Sequence, residues 1–337
     1  MRLLVLDDMT GIYSGIGGPN TFRAVGMAVA DFGGTVLGRP IEVVTANHQN
    51  KPDVGSAIAR EEIDEKGVAA ITLGGAPSVG LVAQTLAGEA GAVVEQGGDT
   101  RYRIAPDHVF GHALATDSTA AVEEADGKVL GETVYPLDTP DMTSALLSAQ
   151  GFGDKVFGLA NTETDLETTI KQAREFGPPD PLAAMLVHVS NVEALGLDTA
   201  QNIRTATSFY WGLNDQTRAF GERMTASNGG HVPTMGHAGA YSAITHYLEA
   251  VAAAGTTDAA TVTTKMKDLP ITDGFFENAS IHENGRIVYD MLLAEVVAPE
   301  QSTGPADLCD IVARVPGKDL FLPAEESGCP LTAAKSN

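Results

Sequence analysis

The pattern that most limits what this chain can become is an alternation repeated along its length. A short apolar run ends in a loop of small polar residues, and a stretch with helical spacing follows. Such a series folds as parallel strands joined by right-handed helical crossovers, the α/β class. The first instance is the clearest. Leu3-Leu4-Val5-Leu6 is apolar throughout, as a buried parallel strand requires, and residues 7–20 are crowded with Gly, Ser and Asn. The spacing over 21–33 predicts a helix, with Phe22, Val25, Met27, Ala28 and Phe32 available for its buried side. In an open α/β sheet, ligands collect at the carboxyl end of such a strand. The unpaired N–H groups at the following helix start suit a carboxylate or another polar head.

Two more specific readings of this loop fail. A dinucleotide fingerprint needs a third Gly, and here Gly15 and Gly17 are followed by Asn20. A phosphate-cradling loop needs Gly-Lys-Ser/Thr, and no Lys is present. Further along, Gly74-Gly75-Ala76-Pro77-Ser78 closes another strand, 67–73. Ser78 lacks the Gly two residues before it that a nucleophile elbow requires, so it reads as a helix cap or a hydroxyl donor to a ligand.

The 337 residues exceed one ordinary domain and suit two α/β lobes. Lys and Arg number 21 against 44 Asp and Glu, a net charge of −23, which disfavours nucleic acid and anionic membranes as partners. No apolar run is long enough to cross a bilayer, so direct membrane insertion is not expected. No signal peptide is visible ahead of the first strand. The only two cysteines, Cys309 and Cys329, leave pairing open. No Cys/His cluster or His-Glu-x-x-His supports a metal site, and no cofactor motif is found.

Strands are predicted over 42–46, 101–105, 128–135, 155–160, 182–189, 203–211 and 285–296. Helices are predicted over 54–66, 79–89, 112–125, 140–150, 165–176, 214–228, 236–254 and 261–267. Asn47-His48-Gln49-Asn50 reads as a structural turn, and the proline-bearing tail beyond 296 reads as loop-rich.

Several stretches, taken in order, resemble a known family. Leu4-Val5-Leu6-Asp7-Asp8-Met9-Thr10-Gly11-Ile12-Tyr13-Ser14 resembles the opening of mature type I periplasmic solute-binding proteins, the branched-chain amino-acid (leucine/isoleucine/valine-binding) family of ABC importers. The likeness continues through Ala46-Asn47-His48-Gln49-Asn50-Lys51-Pro52, Phe110-Gly111-His112-Ala113-Leu114, Gly158-Leu159-Ala160-Asn161, Phe209-Tyr210-Trp211 and Ser327-Gly328-Cys329-Pro330-Leu331. The branch resembled includes binders of aromatic acids.

The resemblance implies two doubly wound α/β lobes joined by a hinge, 1–90 with 213–275 and 91–212 with 276–337. It implies a periplasmic or secreted protein that does no chemistry, grips a small carboxylate between its lobes and is recognised by ABC permease membrane subunits. Carried over residue by residue, it places Tyr13 and Ser14 in the first loop and Ser78 on the ligand carboxylate. It places His108 and Phe110 on an aromatic wall, Asn161 after the next strand of the second lobe, and His237 and Tyr241 on a helix facing the cleft. Asn191 stands where an acidic residue commonly meets a ligand ammonium, and its neutrality favours an aromatic or aliphatic acid over an α-amino acid; Asp165 or Glu163 could supply that charge instead. The family pattern also has more chain between Leu86 and Val94, by about one βαβ unit or ~30 residues, which implies a truncated N-lobe. Two other functions are weighed: a sensory ligand-binding module of the same fold, and an α/β hydrolase, for which no triad is recognisable.

Overall fold

A computed structural model describes residues 1–73, 100–124, 126–151, 156–176, 182–321, 323–324 and 332. The predicted helix over 79–89, Ser78, Cys329 and the shortened stretch between Leu86 and Val94 lie outside the described residues. The chain divides into two units: Met1–Gly75 with Ser208–Asp290 and Pro316–Asn337, and Ala76–Thr207 with Met291–Val315.

In the first unit, strand β1 (Arg2–Asp7) lies between β4 (Glu42–Asn47) and β5 (Val68–Leu73), parallel to both. Leu3 to Leu6 are buried, as the unbroken apolar run requires. Between β1 and β4 run helix α1 (Gly18–Asp31) and a small hairpin of β2 (Thr35–Val36) and β3 (Arg39–Pro40). Helix α1 carries Pro19 in its first turn, where a missing N–H costs nothing. It buries Thr21, Ala24, Val25, Ala28 and Val29, a stripe at helical spacing, and leaves Phe22 exposed, contrary to its expected inward placement. The stripe rotates because Thr21, not Phe22, is held inward by a bond to Asp7. Helix α2 (Pro52–Asp64) leads into β5.

The second unit opens on a four-stranded parallel sheet in the order β7-β6-β8-β9, formed by Lys128–Tyr135, Thr100–Pro106, Val156–Leu159 and Leu182–Ala184. Helices α3 (Val109–Glu124), α4 (Thr143–Gln150) and α5 (Glu163–Phe176) connect these strands, and Ile104, Leu146, Phe157, Leu159, Leu166 and Ile170 fill the core. Arg103 is buried within it. Its guanidinium donates to Glu132 at 2.8 Å, to the Ser118 hydroxyl at 3.2 Å, and to Ala115 O and Thr119, so the charge is paired inside the fold.

Three expectations are corrected in this half of the chain. The stretch 182–189 is not one strand. β9 stops at Ala184, and helix α6 (Val189–Leu195) begins where Asn191 Oδ1 accepts from His188 N at 2.8 Å, a local bond that competes with a ladder. Short helix α7 (Leu197–Ala200) follows. The stretch 203–211 is strand only over β10 (Arg204–Thr207), because its antiparallel partner β13 (Met291–Val296) starts opposite Thr207. The stretch 285–296 is two strands in different sheets. β12 (Ile287–Val288) pairs with β11 (Ser280–Ile281), and β13 follows after Asp290, whose side chain takes bonds from Gly317 N at 3.0 Å and Asn278 at 2.7 Å. The tail adds an unexpected strand, β14 (Cys309–Val315), completing an antiparallel sheet β10-β13-β14. Cys309 is buried there, and burial pushes its thiol up to about 12.

The first unit is completed by helices α8 (Asp215–Ser227), α9 (Met235–Ala254) and α10 (Ala259–Asp268). Each starts on a side-chain cap: Asn214 accepts from Thr217 N at 2.9 Å, Thr234 from His237 N at 3.4 Å and Asp258 from Thr261 N at 2.9 Å. Phe209, Phe220, Tyr241 and Phe275 form an aromatic cluster with neighbouring ring centroids 4.9–5.9 Å apart.

Candidate functional site

Parallel strands end together, so each unit gathers the loops after its strands on one sheet edge. In the first unit that edge begins with two consecutive carboxylates. Asp7, 2% exposed, accepts from Asp8 N, Gly18 N and the Thr21 hydroxyl, each at 2.8 Å. Asp8 accepts from Gly11 N at 2.8 Å and Tyr13 N at 3.4 Å. The N-terminus of α1, expected to greet a ligand carboxylate, therefore meets the protein's own carboxylate at Gly18 N. Asn47 ties the same loop from β4: its Oδ1 accepts from Met9 N at 3.2 Å and its Nδ2 donates to Thr10 at 3.1 Å, so the 47–50 turn is structural, as its sequence suggests.

Tyr13 and Ser14 ride on this loop, half-buried, with the Ser14 hydroxyl donating to Gly11 O at 2.7 Å. His237 is 1% exposed, and its Nδ1 accepts from Thr234 N at 3.1 Å. Burial drives its ring down to about 4, although the Gly17 backbone beside it pulls upward, so the ring is neutral at pH 7. One residue earlier in the helix, a Cβ on Gly236 would lie 2.7 Å from Ile16 O; only Gly lets the start of α9 approach the loop so closely. Tyr241 behaves differently. Its hydroxyl donates at 2.6 Å to Asp31, the last residue of α1, where Arg223 also donates at 2.7 and 3.0 Å. Tyr241 is thus tied to the end of α1 opposite the loop that carries Tyr13.

In the second unit, β6, β7, β8 and β9 bring His108, Phe110, Asn161 and Asn191 to one edge. Backbone bonds from Asp107 N to Tyr135 O at 2.6 Å and from Ala160 N to Ile104 O at 2.9 Å hold neighbouring strand ends in step. Phe110 packs on Ala105, Leu114, Ala115 and Ala160 beside Met185. Gly111 follows it because a Cβ there would overlap Pro106 O and lie 2.7 Å from Pro106 Cδ. His108 Nδ1 accepts from Phe110 N at 3.4 Å, a bond that sets the ring at the start of α3.

Asn161 is 0% exposed, and its Nδ2 donates to the Tyr135 hydroxyl at 2.9 Å and to Thr169 Oγ1 at 3.0 Å. Thr169 uses its own proton on Asp165 O at 2.7 Å, so the Asn161 nitrogen faces it and Oδ1 has no donor among the described residues. Next in the chain, Thr162 Oγ1 and Glu163 Oε1 are also buried without a partner among the described residues. Asn191 donates to Glu167 at 3.0 Å from the start of α6. Burial pushes the Glu163 carboxyl up to about 8, and the Glu167 charge adds to it, against the Asn191 amide. Glu163 also holds a left-handed backbone, φ +53, which disfavours any residue with a Cβ.

Comparison with known proteins now decides the family. The periplasmic binding protein pattern matches residues 1–91 and 76–304. A crystallised periplasmic binding protein of Burkholderia mallei is 35% identical, with 98% of each chain covered and a TM-score of 0.91. The chain belongs to the periplasmic binding protein family. A branched-chain amino-acid ABC transporter periplasmic ligand-binding protein of Burkholderia xenovorans LB400 is 30% identical, covering 98% of this chain and 99% of its own, with a TM-score of 0.83. A solute-binding protein of an ABC transporter from Rhodopseudomonas palustris, in complex with 3,4-dihydroxybenzoic acid, shares the fold at 17% identity and a TM-score of 0.77, over 94% of this chain and 97% of that one. No curated protein matches.

For this periplasmic binding protein the expected α/β class, its parallel sheets and the family likeness all stand. Among the described residues, no three His, Cys, Asp or Glu side chains are placed to hold a metal, and no helix is long and apolar enough to cross a membrane. The sequence singled out Glu163 only as a substitute charge and missed Thr162, Tyr135 and Glu167. Their signal was present in Asn161-Thr162-Glu163, a polar triplet directly after an apolar strand.

Proposed function

We propose that this periplasmic binding protein is the substrate-binding component of an ABC importer, taking a small carboxylate, either an amino acid or an aromatic acid. The observation that carries the reading is the edge of the second unit's sheet, where Asn161, Thr162 and Glu163 hold buried polar atoms without protein partners among the described residues. Buried polar atoms are ordinarily paired, and three unpaired ones on consecutive residues at one strand end fit a place where a guest supplies the partners. Two lobes close on the ligand by hinge motion. Tyr13, Ser14, Ser78, His108, Phe110, Asn161, Asn191 and His237 are the proposed contacts, with Ser78 on the carboxylate and Phe110 supplying apolar area; Tyr241, tied to Asp31, is not among them. The protein works in the periplasm, delivers its ligand to membrane permease subunits and leaves it chemically unchanged.

A thermal-shift screen tests this. Branched-chain amino acids, benzoates, cinnamates and aliphatic acids are offered at about 1 mM, and a ligand at about 100 times its Kd adds about 2.7 kcal/mol to folded-state stability. A rise in Tm with at least one class is expected; no rise with any of them refutes the proposal.

A further inference from the structure

Two Asn-Gly pairs lie in loops of the first unit, Asn228-Gly229 and Asn284-Gly285. Such a pair carries its own reaction: the Gly nitrogen attacks the Asn side-chain amide carbon, and the missing Cβ leaves the approach open. The fold treats the two pairs differently. Asn284 sits at the turn between β11 and β12, where its Oδ1 accepts from Arg286 N at 3.0 Å and Gly285 N donates to His282 O at 2.9 Å. Both reacting groups are held, and Lys267 Nζ pins the same turn by donating to Glu283 O at 2.7 Å. Asn228 follows the last turn of α8. Among the described residues, neither its side-chain amide nor Gly229 N has a hydrogen-bond partner. Its backbone is held only loosely, Asn228 N donating to Thr225 O and His231 N to Asn228 O, each at 3.3 Å. Gly229 and Gly230 are exposed, with φ +65 and +98, and a Cβ on Gly229 would meet only His231 Cδ2, at 3.9 Å.

We propose that Asn228 is a self-modification site, converted to isoaspartate and aspartate through a succinimide closed by Gly229 N. Gly229 N gives its proton to solvent base, and its electron pair bonds to Asn228 Cγ. The Cγ–Nδ2 bond breaks, and the amide nitrogen takes protons from water and leaves as ammonia. Water then opens the ring at either carbonyl; nothing is oxidised or reduced. Each conversion turns a neutral amide into a carboxylate beside the C-terminal end of α8, where the helix dipole is itself negative. The protein therefore accumulates an acidic form whose new charge opposes that helix end. This inference is independent of the binding function proposed above.

The test incubates the full chain at mildly alkaline pH in water labelled with heavy oxygen, folded and in urea, and cleaves it after Lys and Arg for mass spectrometry. Asn228 and Asn284 then fall in separate peptides, 224–265 and 268–286. In the folded protein, conversion at Asn228 is expected to outrun that at Asn284 by about fivefold or more, because two hydrogen bonds must open at the second site. Heavy oxygen enters at position 228 in isoaspartate as well as aspartate, since the ring opens both ways. In urea the two sites convert at comparable rates. Asn228→Gln, whose longer side chain closes a ring far less readily, removes the acidic form on ion exchange. A smaller ratio in the folded chain, a ratio unchanged by urea, or aspartate without isoaspartate at position 228 overturns the inference.

Discussion

Replacing Glu163 by Gln should make the empty protein more stable at alkaline pH while changing little at acid pH. The carboxyl is raised from its ordinary 4.5 to about 8, first by burial and then by the charge of Glu167. Between those values the folded state holds a proton that the unfolded state has lost. Stability is therefore fully present below about pH 4.5 and falls as pH rises through about 8. At about 1.4 kcal/mol per pH unit the interval comes to about 5 kcal/mol, of which about 4 fall between pH 5 and pH 9. Gln keeps the shape and cannot ionise, so it removes this slope. Urea unfolding of both proteins at intervals from pH 5 to pH 9, without ligand, gives the difference directly. The other titrating groups are common to both chains and cancel. A difference between the two proteins that stays flat with pH refutes the argument, because it means Glu163 is ionised, or solvated, in the folded state.

Three further outcomes follow from the geometry. His237 is held down to about 4 from 6.5 by burial, so stability is lost as pH falls from 6.5 through about 4; that acid loss should be about 3 kcal/mol smaller in His237→Gln, read by unfolding at pH 7 and pH 4. Asp7→Ala strips the acceptor from Asp8 N, Gly18 N and the Thr21 hydroxyl, and should lower the unfolding free energy by about 3 kcal/mol or more in urea. Gly111→Ala drives a methyl into Pro106 and should cost about 2–3 kcal/mol, whereas Gly26→Ala on α1, with open space around it, should stabilise slightly in the same assay.

Local patterning made much of the fold legible. β1, β5 and β8 were readable as short apolar runs and β4, β6 and β7 as stretches that interleave apolar or β-branched residues with polar ones, all but β1 closing on Gly, Asn or Pro, and α9 because its apolar residues recur at helical spacing. The errors fell where a side chain overrides the run. Leu186-Val187-His188-Val189 is strand-like in composition, yet Asn191 bonds back to His188 and winds a helix. Ile287 to Val296 is apolar enough for one strand, yet Asp290 fastens to Gly317 and Asn278 and splits it. β14 was masked by the prolines flanking it, although Cys309, Ile311, Ala313 and Val315 alternate as a strand should. At the candidate site, strand ends were predictable because parallel topology places them. Which polar atoms there are satisfied was not, because that depends on bonds such as Asn161 to Tyr135, set by residues 26 apart.

The two sheet edges differ in one physical respect. In the first unit, the carboxylates that follow β1 close on backbone N–H groups of their own loop, and Asp7 and Asp8 together take five such or similar bonds. In the second, the polar residues that follow β8 keep buried polar atoms without partners among the described residues, and Glu163 adds a left-handed backbone. A chain selected for stability alone would replace Glu163 with Gly and fill the edge with hydroxyls that satisfy one another. Features that oppose local stability concentrate where a protein binds or reacts. Within the first unit the loop bonds fix the backbone that carries Tyr13 and Ser14, and within the second the buried polar atoms after β8 are the ones open to a guest.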